Sequence, residues 1–179
     1  MLKLDNTALV LIDIQGKLAT LMHEKDALYR NLQILVQGVQ ALELPIFWIE
    51  QYPEGLGPTI PALSELLKNQ RPFPKRCFSA CGQADFYQQL QLSGRRQILL
   101  AGIETHICVY QTAYDLLNAS YHVELVADAV TSRTAANKTM GLEKATALGA
   151  QLTSVEMALF ELLRRADVPA FKQIARLVK

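Results

Sequence analysis

A dominant charge of one sign is missing from this 179-residue chain: 18 Lys and Arg stand against 17 Asp and Glu, a net charge of +1. Nucleic-acid binders neutralise phosphates with clustered basic side chains, so this balance speaks against a nucleic-acid partner. Long apolar runs are missing too. The longest, such as Ala8–Ile12 and Ile98–Ala101, are far too short to span a bilayer, and no membrane partner is expected. Cysteine is scarce and odd in number, with Cys77, Cys81 and Cys108 alone, which makes a poor disulfide framework and suits a reducing compartment. The first residues, Met1-Leu2-Lys3-Leu4-Asp5-Asn6, carry no signal-peptide pattern, so the expected location is cytoplasmic. Nine Gly and seven Pro are too few for a collagen-like or disordered chain. Neither G-x-G-x-x-G nor G-x-x-x-x-G-K-[ST] occurs, and G-x-S-x-G is absent. His23, His106 and His122 are scattered, with no H-x-H, H-E-x-x-H or D-x-H string. Cys77 and Cys81 form a C-x₃-C with no second ligand pair. Neither a metal nor a cofactor is expected from these strings, and Cys77 and Cys81 read as structural.

What is present is an alternation of short apolar runs with longer helical patterns, in a chain that is 50% apolar. Thr7–Ile12, Pro45–Ile49, Gln97–Ala101 and His122–Val126 read as strands, with Lys75–Phe78 and Gln151–Val155 as weaker ones. Leu28, Leu32, Leu35, Val36, Val39 and Leu42 recur at the spacing of one helix face over Lys25–Leu42. Further helices are predicted over Ala62–Leu67, Asp85–Leu92, Ile107–Asn118, from Ser132 or Thr134 to Leu148, Glu156–Arg165 and Ala170–Val178. The segment containing Pro53, Gly55, Gly57, Pro58 and Pro61 reads as loop. Strands alternating with helices of ten residues or more predict one α/β domain over 1–179: a three-layer α/β/α sandwich around a mostly parallel six-stranded sheet.

Such sheets bind ligands at the carboxyl ends of their strands. Asp13 follows the first strand in LIDIQGK, where it is a site carboxylate or simply a turn residue. Lys75 lies at the third, where it is a site cation or, like most lysines, a solvated surface residue. Cys108 follows the fourth strand at a predicted helix start, where free N–H groups favour a thiolate and lower a thiol pKa from its usual ~8.5. The plain alternative is a small buried apolar residue, the commonest fate of a free cysteine. Together the three can meet in one crevice, where a carboxylate can take a thiol proton and a lysine can stabilise the thiolate. Gln15, Tyr52 and Phe78 lie near strand ends and are candidate substrate contacts, with core packing the equal alternative for Phe78.

LIDIQ (Leu11–Gln15), KRCFSA (Lys75–Ala80) and LLAGIETHICVYQTAYDLL (Leu99–Leu117) resemble, in order, the three blocks of the isochorismatase-like cysteine hydrolases. EQYPEGLGPTIPAL (Glu50–Leu63) and PAFKQIARLVK (Pro169–Lys179) look more narrowly like the isochorismatase domain-containing branch. The resemblance implies a Rossmann-like hydrolase fold and a triad of Asp13 as base and then acid, Lys75 as stabiliser and Cys108 as nucleophile. It implies a cis peptide between Ile103 and Glu104, turning backbone N–H groups of Glu104 and Cys108 toward a developing oxyanion. It also implies a homo-oligomer. An apolar stripe of Phe171, Ile174, Ala175 and Val178 at helical spacing is an independent hint of assembly, with packing on its own sheet as the alternative.

The sequence departs from two relatives of this pattern. Glu50-Gln51-Tyr52-Pro53 lacks the D-x-H cluster of metal-dependent nicotinamidases, and Cys108 is present where isochorismate-cleaving enzymes lack the nucleophile. The expectation is therefore hydrolysis of a small amide or related C–N substrate through a Cys108 thioester. The alternative is a non-catalytic small-molecule-binding or interaction domain that retains the fold. A redox-active thiol protein is disfavoured by the lack of C-x-x-C.

Overall fold

In the computed structural model, which describes all of residues 1–179, six parallel strands form one sheet in the order β3-β2-β1-β4-β5-β6. They are β1 (Thr7–Ile12), β2 (Ile46–Gln51), β3 (Phe73–Lys75), β4 (Gln97–Ile103), β5 (His122–Thr131) and β6 (Gln151–Thr153). The helices are α1 (Gly16–Thr20), α2 (Lys25–Ala41), α3 (Pro53–Leu56), α4 (Pro61–Ser64), α5 (Ala84–Leu92), α6 (Tyr110–Asn118), α7 (Ala135–Ala147), α8 (Val155–Leu163) and α9 (Phe171–Leu177). A 3₁₀ turn over Ala80–Gly82 precedes α5, and a π turn over Thr105–Val109 precedes α6.

Every residue of β1 and β4 is buried. Successive strand side chains point to opposite faces, so an uninterrupted apolar strand needs cover on both. Leu9, Leu11, Trp48, Leu99 and Ala101 pack under α2 and α8, while Ala8, Val10, Phe47, Leu100 and Leu125 pack under α5 and α6. Each fully buried Leu or Val contributes about 1.5–3 kcal/mol. β1 and β4 run in register from Thr7 opposite Gln97 to Ile12 opposite Gly102. At Gly102 the φ is +122°, and an added Cβ would fall 2.1 Å from the Ile12 carbonyl oxygen, so only glycine lets the two strand ends approach this closely.

Several boundaries differ from the sequence reading. β3 occupies Phe73–Lys75 instead of Lys75–Phe78, because Phe73 anchors it against Phe47 and Phe86, and Pro74 is tolerated on an edge strand. β5 continues past Ala127-Asp128 to Thr131, through a register shift against β4. Asp128 does not end the strand: its Oδ1 accepts from Val155 N–H at the start of α8, and its carbonyl from Asn31 Nδ2. The proline-rich segment holds α3 and α4, each opened by a proline at a position whose N–H is free anyway. Before α6 the chain makes a π turn, in which the Thr105 hydroxyl is buried without a partner. Thr134 does cap α7, accepting from Asn137 N–H. The apolar stripe of α9 packs on its own chain, with Ile174 fully buried in the same core as α2, so it offers no separate argument for assembly.

Candidate active site

Strand order reverses between β1 and β4, and the carboxyl ends there form the crevice where sheets of this type bind ligands. Asp13 follows β1 directly with φ 54°, a left-handed conformation that Asp tolerates better than most residues. Its N–H donates to Ile49 of β2, which anchors the backbone beside the crevice. Lys75 closes β3, two strands away, and extends beneath the sheet edge. Its Nζ donates to Asp13 Oδ2 at 2.8 Å, to Gln51 Oε1 at 2.5 Å and to the Cys77 carbonyl at 3.3 Å. The side chains of Lys75 and Asp13 are 0% and 2% exposed. A buried ammonium carries three donors, and three acceptors surround it.

Cys108 sits in the π turn after β4, buried, and lines the same cavity as Asp13, with Asp13 and Lys75 the charged groups that act on its thiol. Asp13 Oδ1 is buried and has no hydrogen-bond partner. The thiol is not acidified. Burial, and then the Asp13 charge, push its pKa up to about 12, against the opposing pull of Lys75. Cys108 does lie in the first helical turn after β4, as expected, but burial and the neighbouring Asp13 carboxylate outweigh the depression expected there. Asp13 is raised as well, first by burial, with Lys75 opposing.

The Ile103–Glu104 peptide is cis. Glu104 is buried, and its Oε2 accepts from both the backbone N–H and Nε of Arg133 at 3.1 Å, tying the end of β4 to the turn before α7. Nearby, His106 Nδ1 lies 3.0 Å from Ser132 Oγ. A cavity of about 120 Å³ opens above this floor, lined by Asp13, Leu18, Gln51, Leu56, Phe78, Ile103, Glu104, Ile107 and Cys108. A larger groove of about 470 Å³ lies elsewhere, between Leu4, Leu42, Leu163 and Pro169, and contains no cysteine or lysine.

Of the three substrate-contact candidates, only Phe78 lines the cavity, and it is 55% exposed instead of core-packed. Tyr52 faces solvent under the Arg76 guanidinium, 4.3 Å from its ring centre. Gln15 is fully buried and spends its amide on backbone: Nε2 donates to the Gln51 and Gly57 carbonyls, and Oε1 accepts from Gln51 N–H. It holds the segment from Gln51 to Pro61 over the chain's own site, with help from Gly16 N–H to Pro58 O and Ile60 N–H to Ile14 O. Glu50, at the position where a metal cluster was weighed, accepts instead from the Thr59 N–H and hydroxyl. Leu18, Gln51, Leu56 and Ile107 are lining residues that the sequence reading missed. Gln51 ends a strand and could have been found by that rule; Leu56 sits in a Pro- and Gly-rich stretch and carried no signal.

Residues 7–157 match the family model described as Isochorismatase domain. The chain is 34% identical over 178 residues to the secreted isochorismatase effector Isc1 of Phytophthora sojae, covering 97% of this chain and 85% of that protein. It is 35% identical over 178 residues to isochorismatase domain-containing protein 2A of Mus musculus, covering 98% and 84%. The structure described as MAR1 ribonuclease from Caenorhabditis elegans superposes with a TM-score of 0.92 at 34% identity, covering 99% of this chain and 91% of that one. No helix is long and apolar enough to cross a membrane. With its parallel sheet, its switch-point crevice and these relatives, the chain belongs to the isochorismatase-like hydrolase family.

Proposed function

We propose that the chain is a cysteine hydrolase of small amides or related C–N compounds. The observation that carries this reading is the meeting of Cys108 with the buried Asp13–Lys75 pair beneath one small cavity. Because the thiol is held protonated, attack and proton transfer go together: Sγ bonds the substrate carbonyl carbon as the thiol proton passes to Asp13. The upward shift of Asp13 makes it a stronger base for that proton. Backbone N–H groups of Glu104 and Cys108 hold the oxyanion, and Lys75 keeps the Asp13 carboxylate in place. Asp13 then gives the proton to the leaving nitrogen as the C–N bond breaks, leaving a Cys108 thioester. A water, losing its proton to Asp13, cleaves the thioester and restores the thiol. No metal or cofactor takes part in this reading.

A screen of small amides, carbamates and ureas against wild type and Cys108→Ala tests it. Release of ammonia or amine that disappears in Cys108→Ala supports the reading; release that survives in the variant overturns it. No turnover of any compound, with reversible binding retained, favours the alternative of a non-catalytic binding domain. The description of the Caenorhabditis elegans relative makes RNA a necessary arm of the screen. The cations nearest the site, Lys75 and Arg133, are both engaged by carboxylates, which disfavours a phosphodiester. We further propose a homo-oligomer in the cytoplasm. A light-scattering mass equal to one chain across a wide concentration range, or export of the protein from its cell, rules out the respective part.

A further inference from the structure

The walls of the site restrict what can reach Cys108 by both charge and size. Asp13 and Glu104 line the cavity, their carboxylates paired with Lys75 and Arg133 respectively. Arg76, beyond the mouth on Tyr52, lies 3.5 Å from Glu54. No unpaired cation therefore lines the cavity. An anionic substrate would find no free cation there to replace its hydration, and two of the lining residues are carboxylates already paired with cations, so its binding is penalised relative to a neutral one. Of the other lining residues, Leu18, Leu56, Phe78, Ile103 and Ile107 are apolar, and Gln51 is engaged, its Oε1 accepting from Lys75 Nζ and its Nε2 donating to the Arg76 carbonyl. The volume of about 120 Å³ is well below the roughly 300–1,000 Å³ of sites that take drug-sized ligands. Leu56 is held in place from behind, since the chain just after it is bonded to Gln15 and Gly16.

We propose that this site selects small neutral substrates, and that Leu56 and Phe78 set the length limit. The inference rests on the Cys108 hydrolase reading for its chemistry, but it can be tested without turnover. The probes are iodoacetamide, iodoacetate and N-octyl iodoacetamide. In each case the Cys108 sulfur forms a bond to the reagent CH₂ carbon, iodide leaves with the C–I electron pair, and the thiol proton goes to Asp13 or solvent. Rates at Cys108 are read by peptide mass mapping and divided by the rates of the urea-unfolded chain, which removes intrinsic reagent differences.

The expected result is a folded-to-unfolded ratio at Cys108 at least about tenfold higher for iodoacetamide than for iodoacetate. The octyl reagent is excluded from wild type and admitted by Leu56→Ala or Phe78→Ala; Phe78 is exposed enough that its variant should fold. Equal ratios for iodoacetamide and iodoacetate overturn the charge selection. Equal ratios for short and long reagents, or wall variants that admit no more of the octyl reagent, overturn the size limit. Failure of iodoacetamide to label folded Cys108 even at pH 10, where the thiolate fraction is raised, overturns both. Selective labelling without turnover of any amide sinks the hydrolase reading alone; unselective labelling with turnover sinks this inference alone.

Discussion

Lys75 and Asp13, 62 positions apart in the chain, form a 2.8 Å ion pair that is almost completely removed from solvent. Two charges leave water together there. Such a pair gains little net stability over an apolar pair, but losing one partner strands the other charge. It therefore acts as a preset anchor for the crevice between β1 and β4.

Lys75→Met should destabilise the fold by about 3–5 kcal/mol, as expected for an orphaned buried carboxylate. Urea unfolding followed by circular dichroism measures it, and a loss below about 1 kcal/mol would show that the pair is solvated in solution.

Cys108 should alkylate slowly at neutral pH. A thiol with a pKa near 12 gains about tenfold in thiolate for each pH unit, with no plateau around pH 7. Stopped alkylation of folded chain from pH 6 to 10, mapped to Cys108, checks this. A plateau below pH 8 would mean that Lys75 outweighs burial and Asp13.

Under the proposed mechanism, in which an ionised Asp13 accepts the thiol proton, turnover should have an acid limb set by Asp13. Its folded pKa is raised above 3.8, so activity falls as pH drops through that raised value, at a higher pH than for an ordinary carboxylate. The sign for stability is opposite to that of a salt-bridged surface Asp. A carboxyl that holds its proton more tightly when folded contributes less stability as pH rises from its unfolded pKa through its folded one. Paired pH profiles of turnover and urea midpoint, for wild type and Asp13→Asn, separate the two effects.

Gln15→Leu should loosen the segment from Gln51 to Pro61 without removing a substrate contact. Its loss leaves the Gln51 N–H and the Gly57 carbonyl without the amide, about 1–3 kcal/mol if they stay buried. Hydrogen exchange over residues 51–61 should accelerate while the sheet core stays protected. Unchanged exchange with a raised KM would restore Gln15 to substrate binding.

Gly141→Ala should damage the site from behind. An added Cβ on α7 would lie 2.7 Å from His106 N in the π turn, so α7 or the turn that carries Cys108 must shift. We expect a loss of about 1–3 kcal/mol in thermal unfolding together with lower Cys108-dependent turnover. Full activity would show that the turn can move freely.

Local pattern was enough for much of this molecule. TALVLI and QILLA had to be doubly covered strands because unbroken apolar runs expose one face to water otherwise, and the spacing over Lys25–Leu42 marked a buried helix face. Strand-end positions alone brought Asp13, Lys75 and Cys108 under consideration. Contacts between distant segments set the rest. Phe73 reached Phe47 and Phe86 and moved β3 ahead of its apparent start; Gln15 turned away from the cavity because the backbone of Gln51 and Gly57 needed it. The protonation of Cys108 is of the same kind. A helix start in the sequence suggested an acidic thiol, but the pKa follows from desolvation and from the carboxylate packed beside it, and both arise only when β1, β3 and β4 are assembled.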